Sequence, residues 1–169
     1  MAKLSTQRGM NNRYLYLFGA LVVAAMFAVA LYLQYVMRED PCPLCMVQRV
    51  IFIIIGGLFL LAAMQNPPRL GRKIYSGFIG LFAIVGIATA SRHIWLQHLP
   101  KDQVPACGPG IDYMLKHFPM AEVWQEVFHG SGECATKGWQ IFGLGLPELS
   151  LIGYVVLGAW ALFIASRRG

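Results

Sequence analysis

The sequence predicts an all-α membrane protein: a four-transmembrane-helix bundle with a long exported loop that carries short surface helices. Three observations predict it. Of 169 residues, 57% are hydrophobic and only 13% charged, where a water-soluble domain carries about 25% charge. The apolar residues gather into four runs long enough for lipid. The basic residues divide unequally between the segments that join those runs. The same composition excludes intrinsic disorder, a low-complexity fibre and a repeat solenoid. Length allows one domain, residues 1–169.

A bilayer core of about 30 Å takes roughly 20 apolar residues in a helix. Residues 14–37 contain no charge. Val50–Met64 reads VIFIIIGGLFLLAAM and extends back to Met46 when Arg49 sits at the membrane edge, giving a span over 46–64. Residues 74–91 lie between Lys73 and Arg92, and 149–165 between Glu148 and Arg167. Apolar residues encircle these segments, as lipid on most sides demands. The basic start followed by Ala28-Val29-Ala30 has the look of a cleavable signal peptide. The apolar run continues to Met37 without a polar cleavage region, however, so the first helix is expected to be retained.

Four spans place both termini and segment 65–73 on one side. That side carries Lys3, Arg8, Arg13, Arg69, Arg72, Lys73, Arg167 and Arg168 and no acid. Segments 38–49 and 92–148, on the other side, hold the remaining basic residues and all eight acids. Excess Lys and Arg near span ends marks the cytoplasmic face. The net charge of +6 is therefore a topology signal, and no nucleic-acid partner is expected. In the long loop, Ile111, Met114, Leu115 and Phe118 fall at helical spacing. After Pro119 so do Val123, Trp124, Val127 and Phe128. Short helices lying on the membrane surface and short helices packed on the bundle would share this pattern.

All four cysteines lie on the exported side, where disulfides persist. Cys42 and Cys45 share the short loop, Cys107 and Cys134 the long one. Three pairings are possible, and proximity in sequence favours 42–45 and 107–134. Cys42-Pro43-Leu44-Cys45 opens the second span, where the positive end of the helix macrodipole favours a thiolate. Positions 42, 45 and 49 share one helical face. That makes a reactive pair beside a cationic anchor, Arg49; a structural disulfide with a snorkelling Arg is the alternative. So short a closed loop gains little chain entropy, which argues against bracing alone. Cys107, in VPACGPG, and Cys134, in GSGEC, sit in segments with little bulk to shield a sulfur from exchange. Zinc held by four cysteines is disfavoured, since only one pair has metal-site spacing. His93 follows Arg92 at the exported end of the third span. It is open to hydrogen bonding or proton transfer and equally to ordinary interfacial placement.

Taken as a set, CPLCMVQR at the second span, CGPGIDYML and SGECA in the long loop, and WQIFGLGLPELSL leading into the fourth span make a recognisable pattern. It resembles the bacterial disulfide bond formation protein DsbB family over nearly the whole chain from Tyr14 onward. The resemblance implies a thiol–quinone oxidoreductase of the bacterial inner membrane, with cytoplasmic termini and periplasmic cysteine loops. Such a protein reoxidises DsbA, a periplasmic thioredoxin-fold oxidase, and passes electrons to the membrane quinone pool, ubiquinone or menaquinone. On this chain it implies that reduced DsbA attacks Cys107, that Cys134 is released and exchanges with Cys42, and that Cys45 faces the quinone. Arg49 would hold the quinone oxygen as charge develops, and His93 matches a family histidine near the quinone. The segment Phe118–Phe128 resembles the family's membrane-associated loop segment. The proline between Cys42 and Cys45 and the Gly108-Pro109-Gly110 run vary among relatives. A non-catalytic scaffold braced by disulfides and a quinone enzyme of the vitamin K epoxide reductase type share the C-x-x-C. The loop pattern is closer to DsbB.

Overall fold

The computed structural model describes residues 2–38, 41–100, 102–104, 111–129, 132–135, 139–141 and 143–167. Helix α1 covers Ala2–Tyr35, α2 Pro43–Gln65, α3 Arg69–Gln97, α4 Ile111–His117, α5 Met120–His129, α6 Gly132–Ala135 and α7 Leu146–Ser166. Strands β1 (Gln140–Ile141) and β2 (Leu144–Gly145) form an antiparallel hairpin just ahead of α7. Four helices, α1, α2, α3 and α7, are long and apolar enough to cross a membrane. The architecture is the all-α four-span bundle that composition and run length predict.

Each span ends for a local reason. Pro43 at the first helical position of α2 supplies a preset φ where no N–H is needed. The α2 C-terminus closes on Asn66 in the left-handed region (φ 43°), whose N–H reaches the Ala62 carbonyl at 2.9 Å. Pro67 and Pro68 follow and turn the chain into α3. Charge does not end α3: it runs through Arg92 to Gln97, and the Arg92 guanidinium lies over the Trp95 ring at 4.3 Å. An arginine stem that folds back over an aromatic ring leaves the backbone ladder intact, so the helix outlasts the apolar run.

Helix α3 packs most extensively against α7, α1 against α2, and α2 against α3, while α1 and α7 meet only narrowly. The interfaces use glycine notches filled by rings, the close approach that lipid-embedded helices need in place of a hydrophobic driving force. A Cβ on Gly19 of α1 would stand 2.7 Å from the Phe59 ring of α2, and one on Gly86 of α3 would stand 2.5 Å from the Tyr154 ring of α7. Tyr154 also stacks on Phe52 at 4.2 Å and donates its hydroxyl to the Gln48 carbonyl at 2.8 Å, so one side chain ties α7 to both α2 and α3. At the terminal end, Arg72 is buried and donates to the Arg167 carbonyl at the end of α7. There Trp160 joins α7 to α1 through a hydrogen bond of 3.1 Å to the Leu15 carbonyl.

The loop contains the expected helix pair, broken at Pro119. Met114 of α4 and Val123 of α5 are buried and pack with Val47 of α2, so this face rests on the bundle, while Tyr113, Phe118 and Met120 are exposed. The side chains of Ile111, Leu115, Trp124, Val127 and Phe128 lie outside the described set. The hairpin was not expected, because a two-residue ladder is too short for an alternating pattern. It turns through Gly143 at φ +79°, a conformation that favours glycine.

Gly86→Ala should lower stability by about 1–3 kcal/mol through overpacking against Tyr154, read as a reduced thermal midpoint in detergent. Gly77→Ala and Gly80→Ala, on the same helix with nothing within 4 Å of a Cβ, should leave the midpoint unchanged or raise it slightly.

Candidate functional site

The site grows from the first turn of α2. Cys42 is its N-cap, in extended conformation, and its sulfur accepts the Cys45 N–H at 3.4 Å. A cap normally filled by Ser, Thr, Asp or Asn is here filled by a thiol. That choice brings Cys42 Sγ to 3.1 Å from Cys45 Sγ. Cys42 is 7% exposed, whereas Cys45 is half-buried.

Helix α3 brings His93 to this pair. The imidazole is 2% exposed, with Nε2 3.7 Å from Cys42 Sγ and Nδ1 4.0 Å from Cys45 Sγ. The amide of Gln48, one turn after Cys45, stands 3.4 Å from Nδ1 and holds the ring in place. The His93 ring is thus interior to the protein and faces both sulfurs. Helix α6 supplies the third thiol. Cys134 is fully buried and packs with Cys42, Leu44 and Leu96. Its hydrogen bond to the Cys42 sulfur, reinforced by burial, pushes the Cys134 thiol far above the ordinary cysteine range. Cys107, the fourth cysteine, lies outside the described residues.

Arg49 extends from the same face of α2 as the two cysteines but turns toward α1. It donates to the Gln34 side-chain oxygen and to the Ala30 carbonyl, the latter at 3.3 Å. A guanidinium at this depth is held by neutral acceptors, which fix its direction while leaving its charge uncompensated by these partners.

Cys42, Cys45, Gln48, Arg49 and His93 all line one cavity of about 320 Å³. Its walls come from Met26–Gln34 of α1, the start of α2, the C-terminal end of α3, and the hairpin with the first turn of α7. The cavity lies between the second half of α1 and the first turn of α7. Its residues are mostly apolar, with two sulfurs, an imidazole and a guanidinium among them, the composition of a small-molecule pocket with a few polar groups that fix orientation. Reasoning from sequence missed Gln34 and Gln48. Gln34 had a signal, as the one amide in the charge-free run 14–37; Gln48 had only its place one turn beyond Cys45.

Residues 12–164 match the family described as disulfide bond formation protein DsbB. The chain is 44% identical over 160 residues to disulfide bond formation protein B of Nitrosococcus oceani, covering 95% of each. It is 44% identical over 158 residues to disulfide bond formation protein B 1 of Pseudomonas aeruginosa, covering 94% of this chain and 97% of the relative. The Hahella chejuensis protein of the same name is 44% identical over 159 residues. With four helices long and apolar enough to cross a membrane among the described residues, and a match over nearly its whole length, the chain belongs to the disulfide bond formation protein DsbB family.

Proposed function

We propose that this membrane disulfide-forming protein is a protein-disulfide:quinone oxidoreductase. In this reading the whole chain works as one membrane domain in the bacterial inner membrane, with both termini cytoplasmic and the cysteine segments periplasmic. It reoxidises a DsbA-like thioredoxin-fold partner and delivers the electrons to the quinone pool, ubiquinone or menaquinone. One observation carries the reading: the Cys134 thiol lies against Cys42 of the Cys42–Cys45 pair, and that pair lines a cavity together with Arg49. Electrons entering from the loop have a sulfur to arrive at and a pocket to leave by.

The partner's thiolate attacks Cys107 of a Cys107–Cys134 disulfide, forming a mixed disulfide and releasing Cys134. Cys134, expelled as a thiolate, then attacks Cys42 of the Cys42–Cys45 disulfide and releases Cys45. The partner's second thiol displaces Cys107 and the partner leaves oxidised, and Cys107 closes again on Cys134, freeing Cys42. His93 touches both sulfurs, so its ring can take a proton at one nitrogen while the other stays bonded to Gln48. Arg49 contributes fixed positive charge where an oxygen at the end of the cavity gains electron density, an arrangement that needs no reorganisation during reaction. A quinone, when bound, supplies the acceptor for two electrons and two protons. The apolar walls and the convergent Cys45 and Arg49 fit such a molecule.

Cys45→Ala should abolish multiple-turnover reduction of a soluble quinone analogue by reduced DsbA, and retained turnover would refute its role. Arg49→Ala should lower kcat/KM for the quinone by about 10²–10³ while leaving the first thiol exchange with DsbA intact in a single-turnover assay. Cys134→Ala leaves Cys107 without its resolving partner, so a covalent complex with DsbA should accumulate on non-reducing gels. A chain whose disulfides merely braced its loops would trap none.

A further inference from the structure

With its sulfurs reduced, the cluster has the make-up of a soft-metal site. Cys42 Sγ, Cys45 Sγ and an imidazole nitrogen of His93 lie within 4.8 Å of one another. Sulfurs bound tetrahedrally at about 2.3 Å to a d¹⁰ cation stand about 3.8 Å apart. Here Cys42 Sγ is 3.7 Å from His93 Nε2, and the two sulfurs, at 3.1 Å, need part by less than about 1 Å to match that geometry. The imidazole is already buried and oriented. Its Nε2 faces Cys42, and its Nδ1 faces the Gln48 amide at 3.4 Å. A metal-bound histidine presents its second nitrogen to just such a partner. Turned about its last bond, the amide of Gln48 offers its oxygen to the Nδ1 proton. The cavity gives a way in.

We propose that the reduced chain binds a soft divalent d¹⁰ cation, zinc or cadmium, through Cys42, Cys45 and His93, and that oxidation of the cysteine pair abolishes the site. On binding, each ligating thiol releases its proton to solvent and no electron moves. Disulfide formation takes two electrons and two protons from the same sulfurs and removes two ligands at once. The inference rests on the proposed function only in requiring that this pair alternates between dithiol and disulfide. Three protein ligands leave the fourth position open, as in zinc sites that exchange their fourth ligand.

The test uses the full chain in detergent carrying Cys107→Ala and Cys134→Ala, so that Cys42 and Cys45 are its sole thiols. Reduced, freed of reductant and titrated with cadmium chloride, it should develop thiolate-to-cadmium ultraviolet absorption that saturates at one equivalent. Oxidation with diamide should remove that absorption, and adding His93→Ala should weaken binding at least about tenfold. No absorption, absorption that survives oxidation, or equal affinity without His93 would each overturn the site. Because His93→Ala could also disturb packing, cobalt is added to the protein that retains His93. An intense visible band of tetrahedral cobalt with sulfur ligation is expected, and a weak octahedral spectrum would contradict the geometry. Neither readout involves quinone or DsbA, so failure here leaves the proposed oxidoreductase standing, and loss of that activity leaves the metal site standing.

Discussion

Everything at the site depends on the sulfur of Cys42 closing the first turn of α2. A helix start leaves backbone N–H groups without intrahelical partners, and in this chain one of them, from Cys45, is taken by the Cys42 thiol. The cap fixes the spacing of the pair, its exposure to the positive end of the helix, and the direction in which each sulfur faces. Both sulfurs border the cavity; Cys42 is the more buried of the two and packs against Cys134 and His93. Pro43 sets the first turn that holds the two sulfurs at this spacing.

The second constraint is the seam between α1 and α7. At the terminal end the two helices are joined by Trp160. Nearer the cysteines, Met26 of α1 lies against Gly153 of α7, and the hairpin and the first turn of α7 form a wall of the cavity. Arg49 bridges α2 to α1 across that region by bonding to Gln34 and Ala30. Removing a guanidinium from water is expensive, and neutral acceptors offset part of the expense without neutralising its charge. Tyr154 supports the arrangement from behind, since its hydroxyl is bonded to Gln48, the residue that orients His93.

Much of the fold was legible in residue order because lipid imposes a length rule. Four apolar runs gave four helices, and the stop at Asn66-Pro67-Pro68 could be read directly. Arg92 misled in detail, since a charged residue ends an apolar run without ending a helix. The spacing of 42, 45 and 49 correctly put two sulfurs and a guanidinium on one face, a local property of α2. The convergence of His93, Gln34 and Cys134 on that face was not legible, because it depends on how α1, α3 and α6 pack against α2. His93 is 51 positions from Cys42, and no periodicity spans that separation.

The most direct test of the account is photolabelling with an azido-quinone, followed by peptide mapping of the adducts. Adducts on the α1 stretch Met26–Gln34 and the α2 stretch Cys45–Phe52, suppressed by excess unlabelled quinone, are the predicted result. Adducts confined to the outer faces of α3 and α7, or insensitive to competition, would contradict the claim that the cysteine pair and Arg49 share one quinone pocket.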